Sequence, residues 1–410
     1  MESKKVSNIP TPNPSKHRIL PKVILAVAFF AVFIVGVNFG NGRISPFSRA
    51  KGPSASLPSR LDYSSVNQVY QSIKDNYDGK LTTQQLEDGL KHGLAEATKD
   101  PYTNYFNGKE AKEFNEQITN SFSGIGAQLG QDNKSNLEVI APIADTPAEK
   151  AGLKPKDLIA EINGESTTGM SVDDAVSKIR GKAGTKVKLS VVRNKTQPLT
   201  FVITRDNIKI PSVKSKTLDG NIGYIQISNF ADDTYDLTSK AVQKFKDDKV
   251  QGLIIDMRNN PGGLLEQAVN VSSLWLPTGT NVLKEKTGGT VVKSYESTGN
   301  DIAKGIPTVV LINEGSASAS EITAGALRDN NAVYLIGQKS YGKGVVQQLI
   351  NFNDGSQLKV TVASWYRPNG QNIHHKGIKP DKSVKMTDED VKADKDPQLQ
   401  AAQEYLNKNR

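Results

Sequence analysis

Three serines and one lysine carry the most suggestive chemistry in this chain. The run Asn313-Glu-Gly-Ser-Ala-Ser-Ala-Ser320-Glu321 follows an apolar stretch and leads into a helical pattern. A serine at such a strand-to-helix turn exposes its oxygen beside backbone N–H groups at the positive end of a helix. Taken singly, Ser316, Ser318 and Ser320 each read as turn or cap residues, so a nucleophile among them must be argued from a nearby base. Histidine is a poor candidate. His17 lies in the basic N-terminal stretch and His92 in a helical segment, while His374 and His375 sit beside Gly370 and Gly377, where solvent exposure is expected. Lysine fits better. Lys343 stands in Ser340-Tyr-Gly-Lys-Gly344, directly after the strand that follows the serine helix, so one strand–helix–strand step brings it back toward the serines. To act as a base near neutrality its pKa must fall from about 10.4 to about 7, roughly 4–5 kcal/mol. Burial among apolar groups supplies such a shift because it disfavours the charged form. Gln347 follows four residues later, on the same face of an extended strand, where its amide oxygen can orient the amine.

The segment Gly337-Gln-Lys-Ser-Tyr-Gly342-Lys343-Gly344 also comes close to a phosphate-binding loop. Gly344 stands where that loop needs the Ser or Thr that ligates magnesium, and the residues after it are β-rich rather than helical. Nucleotide hydrolysis is therefore disfavoured. A second loop, Asp256-Met-Arg-Asn-Asn-Pro-Gly-Gly263, offers a glycine pair at a helix start. Its N–H groups suit a carbonyl oxyanion, or equally a tight turn or an anion nest.

These loops need elements to position them. Residues 206–385 read as α/β with βαβ units: strands at 252–256, 308–312 and 333–336, helices between them, and two further strands at 345–352 and 358–364 around an Asn-Asp-Gly turn. Residues 119–205 are strand-rich with two short helices, one opened by Thr146-Pro147 and one by Ser171. Residues 61–118 read as a small helical domain, with stripes at Val66, Val69, Tyr70, Ile73 and at Leu86, Leu90, Leu94. Residues 386–410 form a charged tail in which Leu399, Ala402 and Leu406 suggest a terminal helix. The expected class is α+β and multidomain.

Composition narrows the function. There is no cysteine among 410 residues, which removes thiol chemistry and disulfides. The net charge of +9 is concentrated partly in residues 1–22 and otherwise spread thinly, without aromatic interleaving, so nucleic-acid binding is disfavoured. Residues 23–42 carry no charge. Twenty residues at 1.5 Å each span roughly 30 Å, the thickness of a hydrocarbon layer. With the basic cluster before them they read as an uncleaved single-pass anchor, with 1–22 in the cytoplasm and the rest outside a bacterial cell membrane. Residues 43–60, rich in Ser, Pro and Gly, form the tether.

Taken together, Asp100-Pro-Tyr-Thr-Asn-Tyr105, Phe122-Ser-Gly-Ile-Gly-Ala127, the loop 256–263, the serine loop 314–322 and Tyr341-Gly-Lys-Gly344 resemble the C-terminal processing peptidases, or tail-specific proteases, in motif order over residues 61–385. The resemblance implies a Ser–Lys serine endopeptidase with a PDZ-like module, acting on proteins with apolar C-termini and needing no metal or other cofactor. It places the nucleophile on Ser318, the base on Lys343, the orienting amide on Gln347 and the oxyanion donors on the N–H groups of Gly263 and Ala319. Met257 stands where the family commonly has Leu, a volume-conserving change. Peptide binding by the module falls on Gly124, Ile125, Gly126 and Ala127. Arg180 is expected either to meet substrate or the protease domain, or simply to complement a helix C-terminus. A PDZ-like module ahead of the catalytic residues also suggests gating. The sequence leaves open self-association, an activator protein, a non-catalytic tail-binding scaffold, and a hydrolase of cell-wall amides or esters.

Overall fold

Capping decides the first elements of the computed structural model, which describes residues 57–58, 60–194 and 198–409. The expected cytoplasmic segment, the anchor at 23–42 and most of the tether lie outside those residues. Among the described residues no helix is long and apolar enough to cross a membrane. Helix α1 (Ser64–Asn76) buries no side chain, and α2 (Thr83–Glu96) starts at a Thr82–Gln85 capping box and buries only Ala95. The two are therefore not a domain with its own core, contrary to the expectation for residues 61–118. Strand β1 (Asn104–Phe106) follows, then α3 (Gly108–Thr119), which opens at an Asn107–Glu110 capping box and closes on left-handed Asn120.

The next module comprises β2 (Ser121–Gly124), β3 (Ala127–Gln131), β4 (Leu137–Pro142), α4 (Pro147–Lys150), β5 (Leu158–Ile162), β6 (Glu165–Ser166), α5 (Val172–Ile179), β7 (Lys186–Val192), β8 (Leu199–Thr204) and β9 (Asp206–Lys209). Its main sheet runs β3-β4-β5-β7-β8, and β3 is an edge strand packed beside α5. The core holds Leu137, Val139, Ile159, Ile162, Leu189 and Ile203. Alternate residues of each strand face it, as a half-covered antiparallel sheet requires. Thr146, expected as a helix cap, instead donates its hydroxyl to the carbonyls of Ile143 and Gly126.

The remaining elements are β10 (Val213–Leu218), β11 (Ile222–Ile227), α6 (Thr234–Asp247), β12 (Gly252–Asp256), α7 (Leu265–Ser273), β13 (Asn281–Thr287), β14 (Thr290–Glu296), β15 (Thr308–Ile312), α8 (Ala319–Asp329), β16 (Tyr334–Gly337), β17 (Val345–Asn351), β18 (Gln357–Tyr366), β19 (Lys382–Ser383), α9 (Asp388–Lys392) and α10 (Pro397–Lys408). Strands β10-β11-β12-β15-β16-β19 form one sheet, parallel from β11 onward. Its central strands β12 and β15 are buried on both faces, which is why 252–256 and 308–312 read as unbroken apolar runs. Leu253, Ile255, Val310, Ile312 and Leu335 face one core with α6, α7 and α8, while Ile254, Val309, Leu311 and Ile336 face a second core.

That second core is closed by α10, through Ala401, Ala402 and Leu406. The charged tail is thus an integral layer. Within α10, Glu404 and Lys408 lie on the outer side, and the small and apolar residues at helical spacing form the inner face. A second sheet joins β1, β18, β13 and β14, with β17 on β18. Residues 104–106 pair antiparallel with 357–359, so the N-terminal segment completes a sheet more than 250 residues away in sequence. Replacing Leu406, 2% exposed, by Ala is expected to destabilise the full chain by about 2–5 kcal/mol. Urea unfolding would read this as a lower midpoint, whereas a loosely attached tail would leave the midpoint unchanged.

Candidate active site

Strand β15 ends at Ile312, and the chain turns sharply through residues 313–318 into α8. Ser318 sits at the turn with φ 52° and ψ −114°, a region that side-chain-bearing residues rarely occupy. Such strain, of order 1–3 kcal/mol, persists only where the surroundings over-determine it. Here they do. Ser316 donates its hydroxyl to Met257 O at 2.8 Å, Ser320 donates to Asn260 O at 3.0 Å, and the Ala317 N–H donates to the same Asn260 carbonyl at 3.0 Å. The flanking serines therefore fasten the turn to loop 256–263, which leaves Ser318 as the partly exposed one of the three.

That loop is held from its other side by Arg258. The guanidinium donates to Asp256, at 2.6–3.1 Å, and bidentately to Asp396 at the start of α10, at 2.8 and 2.9 Å. At its end, the Phe230 N–H donates to Gly262 O and the Leu264 N–H donates to Phe230 O. This pairing uses the atoms either side of Gly263, so the Gly263 N–H points the other way. Gly262 (φ 102°) lies against the serine turn, where a Cβ would sit 2.8 Å from Ser318 Cβ and 2.9 Å from Ala319 N. Only glycine allows that approach.

Lys343 follows β16 by six residues and is half-buried. Its amine is pulled down to about 8, first by burial and then by the neighbouring Lys359, while Asp100 and Glu321 act in the opposite direction. The amine lies 5.1 Å from the centre of the Tyr102 ring. Trp365 Nε1 donates to the Lys343 carbonyl at 2.9 Å. Gln347 is on β17, opposite Thr361 of β18, and its amide contacts the Thr361 hydroxyl at 3.4 Å. Ser318, Lys343, Gln347, Gly262 and Gly263 all line one cleft of about 400 Å³, with Phe114, Ile118, Leu265, Ile322, Val346 and Trp365 among its apolar walls. Five sequence-chosen positions therefore converge on one cavity or its edge, Ala319 being the first residue of α8 beside Ser318. The strand at Val345 also removes the phosphate-loop reading, which needs a helix there.

Glu321 was legible in the sequence only as a helix-start acid, three residues after Ser318. The structure gives it more to do. Fully buried, its carboxylate accepts from Ser318 N (3.0 Å) and Lys343 N (2.9 Å) through one oxygen, and from Gly342 N (2.7 Å) and the Ser340 hydroxyl (2.5 Å) through the other. Burial pushes its pKa up, and the four donors oppose that rise. His374 corrects another expectation. It is partly buried, packed on His375 and 5.9 Å from Tyr102, rather than in solvent.

In the preceding module Ile125 is buried and accepts from Ala148 N through its carbonyl, while the Gly126 carbonyl accepts from Ile143 N. Gly124, Ile125, Gly126 and Ala127 thus form the turn that leads into edge strand β3. Arg180, the residue after α5, pairs with Glu116 of α3 at 2.9 Å and covers the Phe122 ring. It does not lie in the cleft.

Comparison with known proteins places this arrangement. The profile of peptidase family S41 matches residues 221–384 and that of the PDZ domain matches residues 113–192. The carboxy-terminal processing protease CtpA of Bacillus subtilis is 41% identical over 328 residues, covering 80% of this chain and 70% of that protein. The chain belongs to peptidase family S41. A protein described as a CtpA-like serine protease from Staphylococcus haemolyticus is 38% identical over 79% of this chain and 65% of its own length. A solved structure assigned to the S41 proteases of Bacteroides fragilis shares the fold at 16% identity, with a TM-score of 0.50 over 87% of this chain and 100% of that one. The chain is accordingly a serine-type S41 peptidase with a PDZ domain.

Glu321→Ala is expected to destabilise this S41 peptidase by at least about 2 kcal/mol, because several buried donors lose their acceptor at once. Urea unfolding of the full chain checks this, and a loss under 0.5 kcal/mol (order of magnitude for a neutral surface change) would contradict it.

Proposed function

We propose that this peptidase is an endopeptidase that cleaves proteins chosen by their apolar C-terminal tails, with Ser318 as nucleophile and Lys343 as general base. The observation that carries the reading is the single cleft shared by Ser318, Lys343, Gln347 and Gly263. The neutral Lys343 amine takes the proton from Ser318 Oγ as that oxygen bonds to the scissile carbonyl carbon. The N–H groups of Gly263 and Ala319 receive the oxyanion. The C–N bond then breaks, the leaving amine takes the proton from Lys343, and an ester to Ser318 remains. Water, deprotonated by the same amine, hydrolyses it. Gln347 holds the amine in line.

Tail capture belongs to the PDZ domain. The open edge of β3 beside α5 suits an added peptide strand, and the turn 124–127 suits its terminal carboxylate. Gating is supported by α3, which reaches the cleft with Phe114, Gln117 and Ile118 and is tied through Glu116 to Arg180 at the end of α5. The uncharged stretch 23–42 supports a membrane anchor with the catalytic part outside the cytoplasm.

The test uses the full chain in detergent with an unstructured protein ending in apolar residues. Ser318→Ala and Lys343→Ala should each lose about a thousandfold or more in kcat. Cleavage that survives in Ser318→Ala would reassign the nucleophile. Making the substrate tail charged should abolish cleavage by the parent; unchanged cleavage would remove tail selection. Since only the neutral amine acts as a base, kcat/KM should rise with pH and level off above about 8. A rate already flat from pH 6 would exclude Lys343 as the base.

A further inference from the structure

The turn at residues 100–103 comes from the N-terminal segment, yet it packs against the lysine. Asp100 organises it. Its carboxylate accepts from the Tyr102 N–H at 3.1 Å and from the Thr103 hydroxyl at 2.6 Å. The Thr103 hydroxyl in turn accepts from the Thr361 N–H at 3.2 Å. Thr361 is the residue opposite Gln347 and touches its amide. The turn is therefore joined to the same strand pair that carries Gln347, and β1 continues the attachment by pairing with β18. From this platform the Tyr102 ring faces the Lys343 amine at 5.1 Å, and the His374 ring centre lies 5.9 Å from that of Tyr102.

We propose that Tyr102 is a positioning residue for the Ser318–Lys343 reaction, its ring keeping the Lys343 amine on the cleft side and screening it from water. The proposal rests on the Ser–Lys reading above. An aromatic face attracts an ammonium and also displaces the water that would hydrate it. The two effects oppose one another on the amine's proton affinity, and for a half-buried lysine the loss of hydration is the larger. The other charged groups around the amine are Asp100 on the same turn, Glu321 on α8 and Lys359 on β18, and Tyr341 on the lysine's own loop neighbours Tyr102. Burial and the neighbouring Tyr341 hold the Tyr102 phenol above its ordinary value, and replacing Tyr102 by Phe separates the hydroxyl from the ring.

The experiment compares the full-length parent with Tyr102→Phe and Tyr102→Leu, measuring kcat and KM on the apolar-tailed protein across pH 6–10 (roughly the span around a shifted lysine). Tyr102→Leu is expected to lower kcat about tenfold at neutral pH with KM within about twofold, and to move the acid limb of the profile to higher pH by about one unit. Tyr102→Phe, which keeps the ring, should stay within about twofold of the parent. If Tyr102→Leu does not fold, as judged by its thermal melt, Tyr102→Met replaces it, keeping volume without a ring face. Parent-like kcat and profile in the ring-less variant would overturn the proposal. So would a limb that moves to lower pH, or a Phe variant as impaired as the Leu variant. Lys343→Ala, run alongside, separates the two readings. Full activity there sinks the Ser–Lys assignment itself, whereas its loss with a parent-like Tyr102→Leu sinks only the role of Tyr102.

Discussion

The Glu321 carboxylate accepts main-chain hydrogen bonds from the turn that carries Ser318 and from the loop that carries Lys343. A carboxylate removed from water is tolerated only when its lone pairs are filled, and here four donors fill them. Because three of those donors are backbone N–H groups, the contact fixes the chain rather than the reactive side chains. The strained backbone at Ser318 is held in place, and the Ser318 hydroxyl and the Lys343 amine are left out of that contact. The parallel sheet supplies the rest. Strands β12, β15 and β16 end side by side, which places the glycine loop, the serine turn and the lysine loop at one sheet edge.

Both ends of the described chain also converge on that edge. The N-terminal turn reaches Lys343 with Tyr102, and β1 anchors it to β18. From the other side Asp396 grips Arg258 beneath the glycine loop. Tyr102 meets a lysine that lines the cleft, whereas Asp396 acts only through the loop that carries Gly262 and Gly263. Each fixes a loop whose position the chemistry needs, and α3 links the same cleft to the PDZ domain through Glu116 and Arg180.

The parallel strands and the serine and lysine loops were legible because local signals agree there. Apolar runs of five residues, glycine turns and a helix start specify the same strand–turn–helix step. What was not legible depends on pairing across long sequence distances. Nothing around residues 104–106 indicates that they complete a sheet with 357–359, and α1 and α2 look like a domain until Ala95 is seen to be the one residue they bury. Glu321 carries an ordinary capping signal, which conceals its bonds to residues 340–343. The terminal helix was legible from Leu399, Ala402 and Leu406, but nothing in its charged composition indicates that it closes a second core on the parallel sheet.

The position of α10 bears on the order in which the molecule can be completed. A ribosome makes Ser318, Lys343 and the glycine loop before it makes residues 396–408. Until those residues emerge, one face of the parallel sheet has no cover, and Arg258 lacks Asp396. The nascent chain can thus hold every reactive group while the layer that steadies them is still unmade. Docking of α10, rather than synthesis of Lys343, steadies this edge of the sheet.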